Sequence, residues 1–281
     1  MAKVWINKKL FDTNKARISI FDRGFMYGDG VFESMRSYSG VVFKIDEHLA
    51  RLARDLKATG IKAPYSNGYL KKEIYRLLGV NKLKSAYIRL TITRGEGRFG
   101  VEYKDVLKPN TVIIAKEFDR YPDRMFERGI SARVVSMRQN DLSPLCGVKS
   151  LNYLNYILAR FEAKEHGCDE AIVLNTKACV VEATTSNVFI VKGNTVATPP
   201  VTDGALPGIT RTVVIKAAKK LGLKTIEKSL SYKDLMSSDE VFLTNSLAEV
   251  LPVTKIDRKP IGAGLPGHIT NLLRTSYQGL I

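Results

Sequence analysis

The segment GVKSLNYLNYILAR, residues 147–160, carries the most information about how this chain folds. It places Lys149 just before a run in which apolar residues recur at helical spacing from Leu151 to Phe161, and Gly167 follows as a natural stop. The segment therefore predicts a helix that begins shortly after a lysine. A lone lysine is most often a solvated residue that caps a turn, so its meaning depends on the rest of the chain.

The surrounding pattern predicts an α+β protein with two domains. Short β-branched runs alternate with helical patterns in both halves, and DEHLARLARDLKATG, residues 46–60, places three leucines on one helical face with Arg51 on the polar face. The stretch EFDRYPDRM combines charges, aromatic residues and a proline without apolar periodicity. We therefore expect an N-terminal α+β domain over 1–116, a linker over 117–125 and a C-terminal domain over 126–281.

Composition narrows the class of protein. The 281 residues, 44% of them hydrophobic, can bury a substantial core. The opening MAKVWINKKLF lacks the apolar stretch of a signal peptide, and no segment approaches the roughly 18 apolar residues of a membrane span. The three cysteines show no CxxC spacing, which is typical of free thiols rather than of a metal site. We expect a cytoplasmic protein with no membrane partner and no metal.

The positive charge raises a non-enzymatic alternative. Lys and Arg exceed Asp and Glu by 44 − 28 = 16, as in proteins that bind nucleic acids. The basic residues are scattered along helical patterns, however, and no nucleic-acid-binding motif accompanies them. We expect no nucleic-acid partner; salt-sensitive binding to DNA or RNA without a cofactor would favour the alternative.

Three features downstream of Lys149 suggest a specific chemistry. Glu182 ends the apolar strand pattern CVVE, while Thr210 and Ser246 each stand where a helix is predicted to start, Ser246 as part of an S-x-x-E capping box. Pyridoxal phosphate requires an imine-forming lysine, an acid beside the pyridine nitrogen, and donors around its phosphate. Each of these groups has a candidate here. An edge-strand surface acid and two ordinary helix caps are the alternative interpretation.

A family resemblance rests on eight motifs spread over nearly the whole chain. They are DRGFMYGDGVFESMRSY, EHLARL, YIRLTITRG, KSLNYLNYILAR, GCDEAIVLN, VEATTSNVFIV, ALPGITR and FLTNSLAEVLPV. In this order they resemble the class IV pyridoxal phosphate aminotransferases, which comprise branched-chain aminotransferases, D-amino acid aminotransferases and aminodeoxychorismate lyases. The resemblance implies the two-domain fold type IV, which is D-amino acid aminotransferase-like, with the active site between the domains. It also implies a homodimer.

The resemblance assigns roles by position. Lys149 is implied as the catalytic Schiff-base lysine, and the cofactor-binding residues implied with it are Arg51, Tyr153, Glu182, Ile209, Thr210 and Ser246. Tyr153 is implied to lie beside the cofactor hydroxyl, although branched-chain enzymes often have one more residue between lysine and tyrosine. The implied substrate-binding residues are Tyr27, Phe32, Arg36, Tyr87, Arg89 and Arg98.

The implied substrates are small molecules, namely amino acids and 2-oxo acids. Phe32 stands where D-amino acid enzymes tend to have tyrosine, which favours transamination between a branched-chain or other apolar L-amino acid and a 2-oxo acid such as 2-oxoglutarate. Arg98 resembles a loop arginine of D-amino acid aminotransferases, and TNSLAEV resembles some aminodeoxychorismate lyases. Both activities therefore remain as alternatives.

Overall fold

The computed structural model describes residues 1–97, 99–102 and 108–281. They form two compact units, Met1–Asp119 with Val148–Asn152 and Arg120–Gly147 with Tyr153–Ile281. Each unit mixes helices and strands, which confirms the predicted α+β class. The predicted linker at 117–125 stays a prediction, and Val148–Asn152, which that division puts in the C-terminal domain, belongs to the first unit.

The first unit consists of a sheet with helices. Its elements are β1 (Lys3–Ile6), β2 (Lys9–Asp12), α1 (Arg23–Tyr27), β3 (Gly30–Tyr38), β4 (Val41–Val42), α2 (Ile45–Ala58), α3 (Asn67–Val80), β5 (Ala86–Thr93) and β6 (Asn110–Glu117). In the described residues the strands pair antiparallel in the order β2-β1-β6-β5-β3-β4. Residues 30–37 of β3 pair with the whole of β5.

The apolar face predicted for α2 is confirmed. Leu49, Leu52 and Leu56 are buried in a core that also contains Trp5 and residues of β3 and α3. The helix ends before Gly60, whose φ of 64° is readily adopted by a residue without a Cβ. The prediction that Arg51 lies on the polar face is wrong, because Arg51 is only 7% exposed. A buried carboxylate, described below, compensates its charge.

The second unit contains the remaining elements. They are α4 (Arg124–Glu127), β7 (Ile130–Gln139), α5 (Leu154–Glu165), β8 (Glu170–Asn175), β9 (Cys179–Ala183), β10 (Asn187–Lys192), β11 (Thr195–Thr198), a 3-10 turn (Val201–Asp203), α6 (Ile209–Lys220), β12 (Lys224–Glu227), β13 (Leu230–Ser231), α7 (Tyr232–Met236), β14 (Glu240–Asn245), β15 (Glu249–Ile256), β16 (Lys259–Pro260) and α8 (His268–Gln278).

The sheet of the second unit closes on itself. Its strands run in the order β12-β11-β10-β14-β15-β7-β8-β9-β13, with β16 beside β15, and β9 also pairs with β10. The strands from β10 through β14, β15, β7 and β8 to β9 therefore form a ring. The closing pair is Asn187 with Glu182, so the predicted acid lies at the seam of this ring.

Apolar side chains from many strands form the core of this second unit. One cluster joins residues from β7 to β15, among them Ile172, Val188 and Val253, and a smaller cluster packs α5 against β7 and β8. Within the described part of the chain, no helix combines the length and the apolar character that crossing a membrane requires.

Candidate active site

The backbone around Lys149 is held by the free edge of β3. The Phe32 N–H donates to the Lys149 carbonyl at 3.0 Å, and the Leu151 N–H donates to the Gly30 carbonyl at 2.9 Å. The Lys149 N–H in turn donates to Oδ2 of Asp55 on α2 at 2.9 Å, and Asp55 is 1% exposed. The backbone of Lys149 is therefore fixed by two elements distant from it in sequence.

The Lys149 amine lies over an aromatic ring. Its Nζ is 4.5 Å from the centroid of the Phe32 ring, and the Arg89 guanidinium carbon is 3.8 Å from the same centroid. Cations are attracted to the electron-rich face of such rings. The structure thus brings the predicted catalytic lysine together with two of the predicted substrate-binding residues.

The predicted substrate residues of β3 and β5 share one face of the sheet. Arg36 is paired with Tyr87 and Ser34 with Arg89, and side chains two residues apart on a strand point to the same side. Phe32, which lies two residues before Ser34, faces the same way. The result is a surface of aromatic rings and two arginines, a combination suited to an amino acid with an apolar side chain and a carboxylate.

Tyr27 lies at the end of α1. Its hydroxyl accepts a hydrogen bond from the Gly100 N–H at 2.9 Å, and the Arg23 guanidinium lies over its ring at 5.0 Å. Tyr27 is thereby linked to Gly100. Arg98 itself lies outside the described residues, so its predicted role is left as a prediction.

Arg51 lies on the other side of this sheet. Its Nε and Nη2 donate to the two oxygens of Glu33, each at 2.7 Å, and His48 Nδ1 is 2.7 Å from Glu33 Oε2. Burial alone would raise the pKa of Glu33, but the Arg51 charge and the hydrogen bonds from Arg51 and His48 lower it from 4.5 to about 2. Arg51 and Phe32 come from opposite faces of the sheet, because Glu33 and Phe32 are adjacent on β3.

Glu182 in the second unit is a buried, doubly hydrogen-bonded carboxylate. Its Oε1 accepts from the Tyr156 hydroxyl at 2.7 Å, and its Oε2 accepts from the Leu206 N–H at 2.9 Å. Only 8% of the residue is exposed. Two donors favour the ionised form, so this group is suited to holding a positive charge beside it. The interpretation as an edge-strand surface acid is wrong, because β9 is flanked by β8 and β10 here.

The start of α6 lies next to the same row of residues. In the sheet Glu182 pairs with Asn187, and Asn187 pairs with Thr244, which places the three side chains on one face. Asn187 Nδ2 donates to the Leu206 carbonyl at 2.8 Å, and a Cβ on Gly208 would come within 2.0 Å of Asn187 Oδ1. A glycine is needed here so that the loop before α6 can approach the strand.

Ile209 and Thr210 form the first turn of α6. The cap of this helix is Gly208, which has no side chain to accept from the first N–H groups, and Thr210 is buried. The predicted helix start at Thr210 is confirmed to within one residue, whereas the alternative interpretation as an ordinary N-cap is wrong, because Gly208 takes the extended cap conformation. Helix starts attract anions through these N–H groups and the helix dipole.

Ser246 lies in a turn and does not begin a helix. Asn245 Oδ1 accepts from the N–H groups of Leu247 and Ala248 at 2.8 and 2.6 Å, and Glu249, with a φ of 62°, then starts β15. The predicted helix start at Ser246 is wrong, because Asn245 accepts from the amides of Leu247 and Ala248 and the chain then turns back to pair with β14. Ser246 lies on a tight turn in which Asn245 fixes the N–H groups of the two residues that follow Ser246.

Tyr153 occupies the position just before α5, and its ring centroid is 5.3 Å from that of Tyr156. Sequence reasoning gave no role to Tyr156 or to Asp55, although each directly contacts a predicted site residue. Neither contact has a local sequence signal: they span 26 and 94 residues. It also missed Thr244, whose buried Oγ1 has no hydrogen-bond partner within the described part of the chain.

These residues fit pyridoxal phosphate by their chemistry. An amine over an aromatic ring, a buried carboxylate with two donors, and a helix start without a side-chain cap supply the three kinds of group that the cofactor needs. Among the described residues no group of three or more His, Cys, Asp and Glu side chains is arranged to hold a metal ion.

Comparisons with known proteins agree with this chemistry. The model of the family "Amino-transferase class IV" matches residues 30–256. A protein of Methanocaldococcus jannaschii named "Putative branched-chain-amino-acid aminotransferase" is 42% identical over 279 residues, which are 99% of this chain and 96% of that protein. A D-alanine aminotransferase of Bacillus licheniformis is 35% identical over 99% of this chain and 97% of its own length.

A solved structure shows the same fold. The branched-chain amino acid aminotransferase of Escherichia coli superimposes with a TM-score of 0.96 at 33% identity, over 99% of this chain and 94% of that one. The predicted fold type IV, enzyme class and cofactor are thereby confirmed. The chain belongs to the class IV aminotransferases and is a pyridoxal phosphate-dependent enzyme.

Proposed function

We propose that this enzyme transfers amino groups between a branched-chain or other apolar L-amino acid and a 2-oxo acid such as 2-oxoglutarate. The observation that carries the proposal is the placement of the Lys149 amine and the Arg89 guanidinium over the Phe32 ring. An apolar ring beside the amine suits an aliphatic side chain, and the arginine suits a carboxylate. The relatives named as branched-chain enzymes support the same choice.

The proposed roles follow from the contacts of each residue. Lys149 would hold the cofactor through Nζ, and the same amine would take the proton from the substrate Cα. Glu182 would face the pyridine nitrogen. When bound, pyridoxal phosphate supplies a ring that withdraws electrons from the substrate Cα.

The phosphate and the cofactor hydroxyl have their own proposed partners. The N–H groups of Ile209 and Thr210, the Thr210 hydroxyl and Ser246 bind the phosphate, together with Arg51. Tyr153 would hold the cofactor hydroxyl. Among the substrate residues, Arg36 supplies a second cation, with its guanidinium carbon 4.3 Å from the Tyr38 ring centroid and 4.0 Å from that of Phe118.

A homodimer and a cytoplasmic location complete the proposal. Four apolar residues of α5 at helical spacing are 45–66% exposed, namely Leu154, Ile157, Leu158 and Phe161. A stripe of this kind is typical of a surface that a partner covers, and a second copy of the chain is the proposed partner. The three cysteines are free, which agrees with a reducing compartment.

The test begins with the cofactor link. Purified wild-type protein is expected to show a visible absorbance, and borohydride should fix the cofactor covalently to Lys149, whereas Lys149→Ala should show neither. Separate incubations with L-leucine, D-alanine and aminodeoxychorismate then identify the reaction. A 2-oxo acid formed from L-leucine supports the proposal. Turnover of D-alanine alone, or pyruvate and 4-aminobenzoate from aminodeoxychorismate alone, would reject it.

The D-alanine arm also addresses the second candidate function. The D-alanine aminotransferase of Bacillus licheniformis is 35% identical to this chain, a similarity that favours D-amino acid transamination as the alternative. Comparing kcat/KM for L-leucine and D-alanine on the same preparation decides between the two substrates.

A further inference from the structure

Tyr156 has a contact that the proposed mechanism does not use. Its hydroxyl is 2.7 Å from Glu182 Oε1, and it reaches the acid from the first turn of α5. We propose that Tyr156 is a positioning residue that fixes the orientation of the Glu182 carboxylate and keeps it ionised. The inference rests on the proposed role of Glu182 at the pyridine nitrogen.

The two donors to Glu182 come from different elements. Tyr156 on α5 donates to Oε1, and the Leu206 N–H in the loop before α6 donates to Oε2 at 2.9 Å. Rotation of the carboxylate would break both hydrogen bonds. The acid is thus oriented before the cofactor arrives.

The proton of this pair stays on the tyrosine. Burial raises the pKa of Tyr156 far above its ordinary value, and the neighbouring Glu182 charge together with the hydrogen bond to Glu182 raises it further. The phenol therefore remains a donor throughout the neutral range. A donor to an ionised carboxylate stabilises the charged form, and this is the form that can keep a pyridine nitrogen protonated.

The ring of Tyr156 is itself held in place. It packs against the cluster of α5, β7 and β8, which includes Val135, Ala159 and Val173. Its position is therefore set by the packing of α5 on the sheet, which allows the hydroxyl to orient another group. Replacing it by phenylalanine keeps this packing and removes a single oxygen.

Tyr156→Phe tests the positioning role. Loss of one hydrogen bond to a charged group changes an equilibrium constant or a rate constant by about tenfold or more. We expect the dissociation constant of pyridoxal phosphate, titrated into apoprotein, to rise about tenfold and kcat to fall by a similar factor. KM for the amino donor should stay within about twofold, since Tyr156 acts through Glu182 and not on the substrate. The pH midpoint of the visible absorbance should also move.

Tyr232→Phe is the matched control. It removes a phenol hydroxyl that lies 3.1 Å from the Asp257 carboxylate in the same unit, and it should leave cofactor affinity, kcat and the pH midpoint unchanged.

A double-mutant cycle distinguishes action through Glu182 from an independent effect. In a Glu182→Gln background, Tyr156→Phe should change cofactor affinity by no more than about twofold, because the carboxylate that it orients is gone. Two outcomes overturn the positioning role alone. One is an equal effect of Tyr156→Phe in both backgrounds; the other is no effect of Tyr156→Phe although the wild-type enzyme binds the cofactor covalently. A wild type that takes up no pyridoxal phosphate overturns the proposed function as well.

Discussion

The buried ion pair beneath β3 leads to the most quantitative prediction. Glu33 is fully buried, and it accepts hydrogen bonds from Arg51 and from His48. Glu33→Gln keeps the shape of the side chain but removes its charge. Two basic groups then remain in the core of the first unit without their carboxylate, and we expect the free energy of unfolding of this unit to fall.

The magnitude follows from the pKa of Glu33. A pKa lowered from 4.5 to about 2 corresponds to about 3 kcal/mol of stability at neutral pH. Breaking a buried ion pair by removing one partner costs about 3–5 kcal/mol, which agrees with this value. We therefore expect Glu33→Gln to destabilise the first unit by about 3 kcal/mol at pH 7.

The pH dependence has a definite sign. Because the folded-state pKa is lowered, the contribution of Glu33 is fully present above pH 4.5 and is lost as the pH falls towards 2. The difference between wild type and Glu33→Gln should therefore shrink to less than about half of its neutral value at pH 3.

Urea unfolding followed by tryptophan fluorescence measures this difference. Trp5 is the one tryptophan in the sequence and is fully buried in the same core as α2, so apoprotein fluorescence reports on the first unit. Glu47→Gln is the control, because Glu47 forms an exposed pair with Lys44 and should change stability by less than about 0.5 kcal/mol. A loss below about 1 kcal/mol for Glu33→Gln, or a difference that is constant from pH 7 to 3, would refute the reasoning.

Two further predictions concern Lys149 and the apolar stripe of α5. Asp55→Ala removes the acceptor of the Lys149 N–H, so hydrogen exchange of the Lys149 amide should become faster and borohydride should trap less cofactor. Asp46→Ala, on the exposed side of α2, is the control and should match wild type. Unchanged exchange in Asp55→Ala would contradict the role of Asp55 in holding Lys149. Phe161→Lys places a charge in the apolar stripe of α5 and should convert dimers to monomers, as measured by light scattering. Leu142→Lys changes an exposed apolar residue outside α5 and should leave the dimer intact. A monomeric wild type would contradict the proposed dimer.

Much of the fold was predictable from short stretches of sequence. The leucines of α2 recur at helical spacing, and β10 and β11 are joined at Gly193-Asn194, a residue pair typical of tight hairpin turns. These features depend on residues only a few positions apart. The family motifs likewise predicted the cofactor and the enzyme class, because they contain the residue types that this chemistry requires.

The details of the candidate site were less predictable. The S-x-x-E pattern at Ser246 indicated a helix, yet the turn there is set by Asn245 and by the pairing of β14 with β15. Arg51 was expected on a polar face, yet its charge is compensated by Glu33, which is 18 residues away in sequence. A local pattern cannot distinguish these outcomes, since the deciding partner lies on another element.

By itself, the sequence determined the α+β class, the enzyme class and the cofactor, and it predicted Lys149 and Glu182 as site residues, because helical periodicity, turn residues and residue types are local properties. Only the tertiary structure decided which groups hold those residues in place. Asp55 reaches Lys149 across 94 residues, and Tyr156 reaches Glu182 once α5 packs on β7 and β8 and the pairing of β9 with β10 closes the sheet. Such contacts form only when sheets and helices bring distant segments together, so they leave no periodic signal in the chain.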